Sequence, residues 1–129
     1  MYCLDSNIVV EMLRGDVKTI ELVRKLSELD ICTNALILSE LYEGCYRSYH
    51  VENSLSAVEE YIERTYFLEF DIRSCKLYGQ IYKKLQSSGK LTQEQDLMIA
   101  AICIAHNATL VTRNKKHFQN IHGLKVEYC

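Results

Sequence analysis

The stretch MYCLDSNIVVEMLRG, residues 1–15, passes from a short apolar run through Asp5 and Ser6 into residues with helical apolar spacing, and stops at Gly15. A strand over "MYCL", a helix over "SNIVVEMLRG" and a closing glycine form the first unit of an α/β fold. The same alternation continues down the chain. Asp16 is placed to cap a helix "VKTIELVRKLSEL", whose Ile20, Leu22, Val23, Leu26 and Leu29 make an apolar stripe, and "DICT" follows as a second strand. Asn34 opens a third helix, "ALILSELYEGCYRS", and a polar stretch around "HVENS" leads into the helix "LSAVEEYIER".

"YFLEF" reads as the third strand, ending at a cap, Asp71, before the long helix "IRSCKLYGQIYKKLQSS" and Gly89. "LTQEQDLMIAAICIAHN" carries a capping-box pattern at Thr92 and Gln95, and its body is apolar on nearly every face, as in a helix buried between other elements. "ATLVT" is the fourth strand and "KVEY" an edge strand. Strands separated by helices imply parallel pairing by right-handed crossovers. The expectation is a single α/β domain over residues 1–129, with a parallel sheet of four to five strands and helices on both faces. In such sheets ligands bind beyond the carboxyl ends of the strands.

A length of 129 residues and 48% apolar content suit one packed core. No run approaches the about 20 apolar residues of a membrane span, and Asp5 interrupts the N-terminus where a signal peptide would be basic and then apolar, so a cytoplasmic protein is expected. The net charge of −2 means that any polyanion binding must come from a local patch. Six cysteines without a C-x-x-C pair and four histidines without an H-x-x-x-H pair speak against a zinc cluster or a disulfide framework; buried reduced thiols are expected. No glycine-rich phosphate loop follows a strand, which disfavours a flavodoxin-like small-molecule binder.

Three acids stand where chemistry could use them. Asp5 leaves the first strand at the crevice end of the sheet, although a cap on the following helix, shared with Ser6, explains the same residue. Glu40 sits mid-helix with Leu36 and Gly44 on its own face, and Glu43 is a weaker candidate nearby. Asp96 lies in the first turn of the buried helix, where the dipole favours negative charge but the following apolar residues leave that charge in need of a partner. If the three converge, a cation must offset their repulsion. Oxygen ligands suit Mg2+ or Mn2+, and metal-assisted phosphodiester hydrolysis is the matching reaction.

Four segments in order resemble the PIN domain of the VapC toxin type: "LDSN" at 4–7, "SELYEG" at 39–44, "QDLMIAA" at 95–101, and "LVTRNKKHF" followed by "IHGLKV" near the end. The resemblance implies that Asp5, Glu40 and Asp96 bind metal, that Ser6 is the hydroxyl beside the first acid, and that the protein is a Mg2+- or Mn2+-dependent endoribonuclease with a metal-activated water. It also implies an RNA substrate, a homodimer and a cognate antitoxin in a type II toxin–antitoxin pair. The chain departs from the pattern at Asn114, where many members carry a fourth acid; a neutral amide there implies one firmly held ion and a second held weakly or brought by the substrate phosphate, with Ser6 and Asn114 as weak ligands or as supports behind the acids.

Arg113, Lys115, Lys116 and His117 surround Asn114 as a local basic cluster able to hold RNA phosphates, against the plain alternative of a solvated turn. His117 could assist proton transfer but is expected to pack beside Phe118. Tyr42, Tyr46 and Tyr49 are expected mainly in the core, with any exposed part a surface for dimerisation or an antitoxin helix. The competing reading is a PIN scaffold without catalysis, binding RNA or a protein partner.

Overall fold

In the computed structural model, which describes residues 1–26 and 30–129, β1 (Tyr2–Leu4) runs straight into α1 (Ser6–Leu13), with Asp5 between them as the helix cap. There follow α2 (Val17–Leu26), β2 (Ile31–Asn34), α3 (Ala35–Arg47), α4 (Val51–Glu63), β3 (Tyr66–Leu68), α5 (Ile72–Ser87), α6 (Glu94–Ala105), β4 (Thr109–Thr112), α7 (Lys115–Phe118) and β5 (Lys125–Tyr128). The five strands form one parallel sheet in the order β3-β2-β1-β4-β5. The chain builds outward from β1 on one side, then crosses back to build β4 and β5 on the other. Right-handed crossovers therefore send α1 to α4 to one face and α5 to α7 to the other. The reversal beside β1 is the switch point at which such sheets open a crevice.

Cys3 and Leu4 on β1, Cys32 on β2, and Leu110 and Val111 on β4 are wholly buried, as central strands covered on both faces require. In α6, Leu97, Ile99, Ala100, Ala101, Ile102 and Cys103 are also buried, so the helix has almost no polar face to orient it. Cys3, Cys32, Cys45 and Cys103 are buried, free thiols; Cys75 and Cys129 are exposed. Among the described residues, no helix is long and apolar enough to cross a membrane.

Several boundaries differ from the sequence expectation. The polar segment around "HVENS" is already helical: α4 begins at Val51, because Val51, Leu55, Val58 and Ile62 recur at helical spacing on its inward face. The turn after β4 winds into α7, with Asn114 at its N-cap but no side-chain cap bond. The Thr92–Gln95 capping box does not form; α6 starts at Glu94 behind Gln93, which makes no side-chain cap bond, and Gln95 turns to another helix. Tyr46 and Tyr49 stand in solvent, whereas Tyr42 packs against the core. Leu29, expected in the stripe of α2, lies outside the described residues.

Candidate active site

Asp5 emerges from the carboxyl end of β1 with both carboxylate oxygens fixed. Its Oδ1 accepts from the backbone N–H of Ser6 at 2.9 Å and its Oδ2 from the Thr112 hydroxyl at 2.6 Å. The partnership follows from the sheet: Leu4 pairs with Val111, so the residues that follow on each strand meet at the crevice. The Asp5 N–H donates to the Val111 carbonyl, and the Asn114 N–H donates to the Thr112 hydroxyl oxygen at 3.1 Å. A hydrogen-bonded path thus runs from Asn114 through Thr112 to Asp5. Asp5 is both the helix cap and the buried acid of the crevice, so the two sequence readings describe one side chain.

Glu40 arrives from α3. That helix is set by Asn34, buried at the end of β2, whose side-chain oxygen accepts from the N–H groups of Leu36 and Ile37. The Glu40 carboxylate is held from two sides. Ser6 donates its hydroxyl to Oε2, and Gln95 donates from Nε2 to Oε1 at 2.8 Å. Burial pushes the Glu40 carboxyl above the usual range, the Ser6 bond opposes this, and the charges of Asp5 and Asp96 raise it further. Glu43 does not join them: its side chain is exposed and pairs with Arg47 one turn on.

Asp96, in the first turn of α6, is only 8% exposed. Burial raises its carboxyl as well; His117 opposes the shift and Asp5 adds to it. His117 Nδ1 lies 2.9 Å from Asp96 Oδ2, yet that oxygen is buried without an aligned hydrogen-bond donor. The histidine therefore meets Asp96 at the crevice and also neighbours Phe118, so the packing expected of it is joined by a contact with one of the acids. Asp5, Glu40 and Asp96 come from three separate parts of the chain, and the charges of Asp5 and Asp96 both act on Glu40, while that of Asp5 acts on Asp96. That convergence is what the spacing alone left open.

The basic cluster is divided by the fold. Arg113 turns to α1, where its Nη2 meets Glu11 Oε2 at 2.7 Å and also donates to Thr19 at 3.2 Å. Lys115 and Lys116 begin α7 and are exposed, beside half-buried Asn114. Sequence reasoning missed Thr112 and misread Gln95. Thr112 would have been visible had β1 and β4 been paired in advance; nothing local distinguishes the Gln95 amide from a cap residue.

The donor set suits a hard divalent cation: acidic oxygens that repel one another, and in Asp96 Oδ2 a buried oxygen with no aligned donor. Among the described residues, no three His, Cys, Asp or Glu side chains stand together as a ready metal cage. Magnesium does not need one, since it is usually bound through one or two carboxylates, with waters and phosphate oxygens completing the shell. Asp5 and Asp96 fit that role, with Glu40, already held by Ser6 and Gln95, beside them.

Residues 2–124 match the family model described as PIN domain. The chain is 31% identical over 131 residues to Ribonuclease VapC2 of Rickettsia felis, covering 98% of this chain and 96% of that protein. It is 26% identical over 126 residues to the tRNA(fMet)-specific endonuclease VapC of Shigella flexneri, with 98% and 96% covered. The crystal structure of VapBC2 from Rickettsia felis bound to a promoter DNA fragment contains a chain that superposes with a TM-score of 0.90 at 29% identity, covering 99% of this chain and 98% of that one.

Proposed function

The chain belongs to the PIN-domain family, in its VapC group, and from that premise we propose that it is a Mg2+- or Mn2+-dependent endoribonuclease, the toxin of a type II toxin–antitoxin pair. The observation that carries the reading is the convergence of Asp5, Glu40 and Asp96 at the switch point of the sheet, each raised or held by its neighbours. The ribonuclease names of the relatives support RNA as the substrate, and the complexes among the structural neighbours support an antitoxin.

Asp5 and Asp96 would hold the ion, which when bound supplies positive charge to the phosphoryl oxygens and acidifies an attacking water. The protein's own part is preorganisation. Thr112 and the Ser6 N–H fix both oxygens of Asp5, so the carboxylate would present one geometry to the ion. Ser6 and Gln95 do the same for Glu40, which stands ready to accept a proton at the crevice. Lys115 and Lys116, exposed at the start of α7, draw in the RNA backbone, while Arg113 anchors that turn to α1.

We assign the antitoxin to a cleft of about 710 Å3 beside α1, α2 and α4, where Met12, Leu13, Ile20 and Val23 face Tyr61 and Arg64. An amphipathic segment would cover that apolar floor. A homodimer is part of the same proposal, and Tyr46 and Tyr49 offer exposed aromatic surface for it. The non-catalytic alternative draws on Asn114 and on the contact of His117 with Asp96, and it requires that manganese not bind saturably.

The test is cleavage of structured RNA by purified protein. Activity should need Mg2+ or Mn2+, disappear with chelator, and fall by about a hundredfold or more in Asp96→Asn, the scale of losing one preorganised electrostatic group. Undiminished cleavage by that variant would sink the assignment.

A further inference from the structure

Among the described residues, α5 is the one long helix whose charged side chains are all basic. Its sixteen residues, IRSCKLYGQIYKKLQS, hold Arg73, Lys76, Lys83 and Lys84 and no acid, in a chain whose net charge is −2. Arg73 is directed to the Ala105 carbonyl at the end of α6. The three lysines are different. Lys76, Lys83 and Lys84 recur at helical spacing with Gln80 and Ser87, all of them exposed, and together with Gly79 they line a shallow concavity of about 770 Å3. Among the described residues none of the three forms an ion pair, although acids elsewhere on the surface pair with arginines. Asp71 lies at the far end of the helix and is engaged as its cap by Ser74.

The placement of α5 relates this face to the crevice. Residues 88–93 join α5 to α6, and the two helices pack along each other, so they run antiparallel. The end of α5 bearing Lys83 and Lys84 is therefore the end of α6 bearing Asp96. Burial raises the Tyr78 hydroxyl of α5, and the charge of Glu94, which opens α6, adds to that shift. From Lys76 to Lys84 the helix rises about 12 Å, at about 1.5 Å per residue, which is the reach of two or three nucleotide phosphates.

We propose that the Lys76–Lys83–Lys84 face of α5 is a docking surface for the phosphate backbone of RNA that extends past the scissile bond. The identity of the polyanion rests on the ribonuclease reading above. Two copies of this face would repel, so self-association through it is disfavoured. Lysines without partner acids, presented on a rigid helix, bind a backbone without reading its sequence. The face thus sets how much RNA must lie along the protein and leaves the choice of bond to the crevice.

The experiment measures binding of a labelled 20-nucleotide single-stranded RNA in chelator, across a range of salt, to wild type, K76Q/K83Q/K84Q and K76R/K83R/K84R. Losing three phosphate contacts should lower the slope of log Kd against log salt by about 2, at about 0.7 per contact on a single strand, and the arginine variant should keep the wild-type slope. In Mg2+ the glutamine variant should raise KM on the long RNA and leave cleavage of a tetranucleotide unchanged. An unaltered slope, or a change in oligomeric mass instead of RNA affinity, overturns the docking face. If the slope falls as expected but wild type cleaves no RNA with either metal, the docking face stands and the ribonuclease reading fails.

Discussion

The Thr112 hydroxyl donates to Asp5 Oδ2 across 2.6 Å, joining residues 107 positions apart in the chain and adjacent at the crevice end of β1 and β4. Asp5 has no freedom to rotate away from the site while that bond and the Ser6 N–H hold it. The same hydroxyl oxygen receives the Asn114 N–H, so one side chain ties the first acid to the turn that carries the lysines.

Thr112→Val keeps the shape of the side chain and removes this donor. Hydrogen bonds to a charged group contribute about 1.5–3 kcal/mol, so urea unfolding should show a loss of about 2 kcal/mol, and RNA cleavage should fall with it. A variant as stable and active as wild type would show that Asp5 is positioned without Thr112.

Asp96→Asn should separate stability from function. Burial and the neighbouring acids raise the carboxyls of Glu40 and Asp96, so in metal-free protein the folded state keeps protons that the unfolded chain releases near pH 4. Stability from these groups is complete below that value and is lost as pH rises through the folded pKa values. Unfolding in chelator should therefore show stability declining above about pH 4.5, with a smaller decline and higher neutral-pH stability in Asp96→Asn. Saturating Mn2+ should reverse the order by stabilising wild type alone. A steeper decline in the variant would contradict this account.

Arg113 and the two lysines should differ in what their loss affects. Arg113 pairs with Glu11 and Thr19, with both charged side chains partly exposed, so Arg113→Ala should cost about 1 kcal/mol or less in stability. Lys115→Gln with Lys116→Gln should leave stability unchanged and weaken RNA binding, most of all at low salt. If Arg113→Ala weakens RNA binding as much as the double lysine change, the Glu11 pair does not hold in the presence of RNA.

Asn114→Asp adds a carboxylate one hydrogen bond removed from the Asp5 network. Calorimetry with Mn2+ should show tighter binding and a second, weaker ion, because another acidic oxygen lowers the net positive charge the site must tolerate. Binding identical to wild type would mean that residue 114 faces away from the ion.

Much of this was legible without tertiary structure, because local patterns carry local physics. Strand and helix alternation, the caps at Asp5, Asp16, Asn34 and Asp71, and the positive-φ glycines at 15 and 89 all depend on residues a few positions apart. The start of α4 was harder, since polar Glu52 and Asn53 mask an inward stripe that only packing reveals. The capping-box pattern at Thr92 and Gln95 was a local signal overridden when α3 brought Glu40 within reach of the Gln95 amide.

The sequence by itself determined the alternating α/β order, the capped helices, the candidate acids, and a neutral Asn114 where the family resemblance implies a fourth acid. Only the tertiary structure decided which of these meet. Parallel pairing of β1 with β4 sets Asp5 against Thr112; the packing of α3 and α6 sets Glu40 against Gln95; and α1 draws Arg113 out of the basic cluster. The physical reason is range: capping and periodicity act within a turn or two of chain, whereas hydrogen bonds and charge pairs at the crevice depend on how separate elements are docked by the burial of their apolar faces.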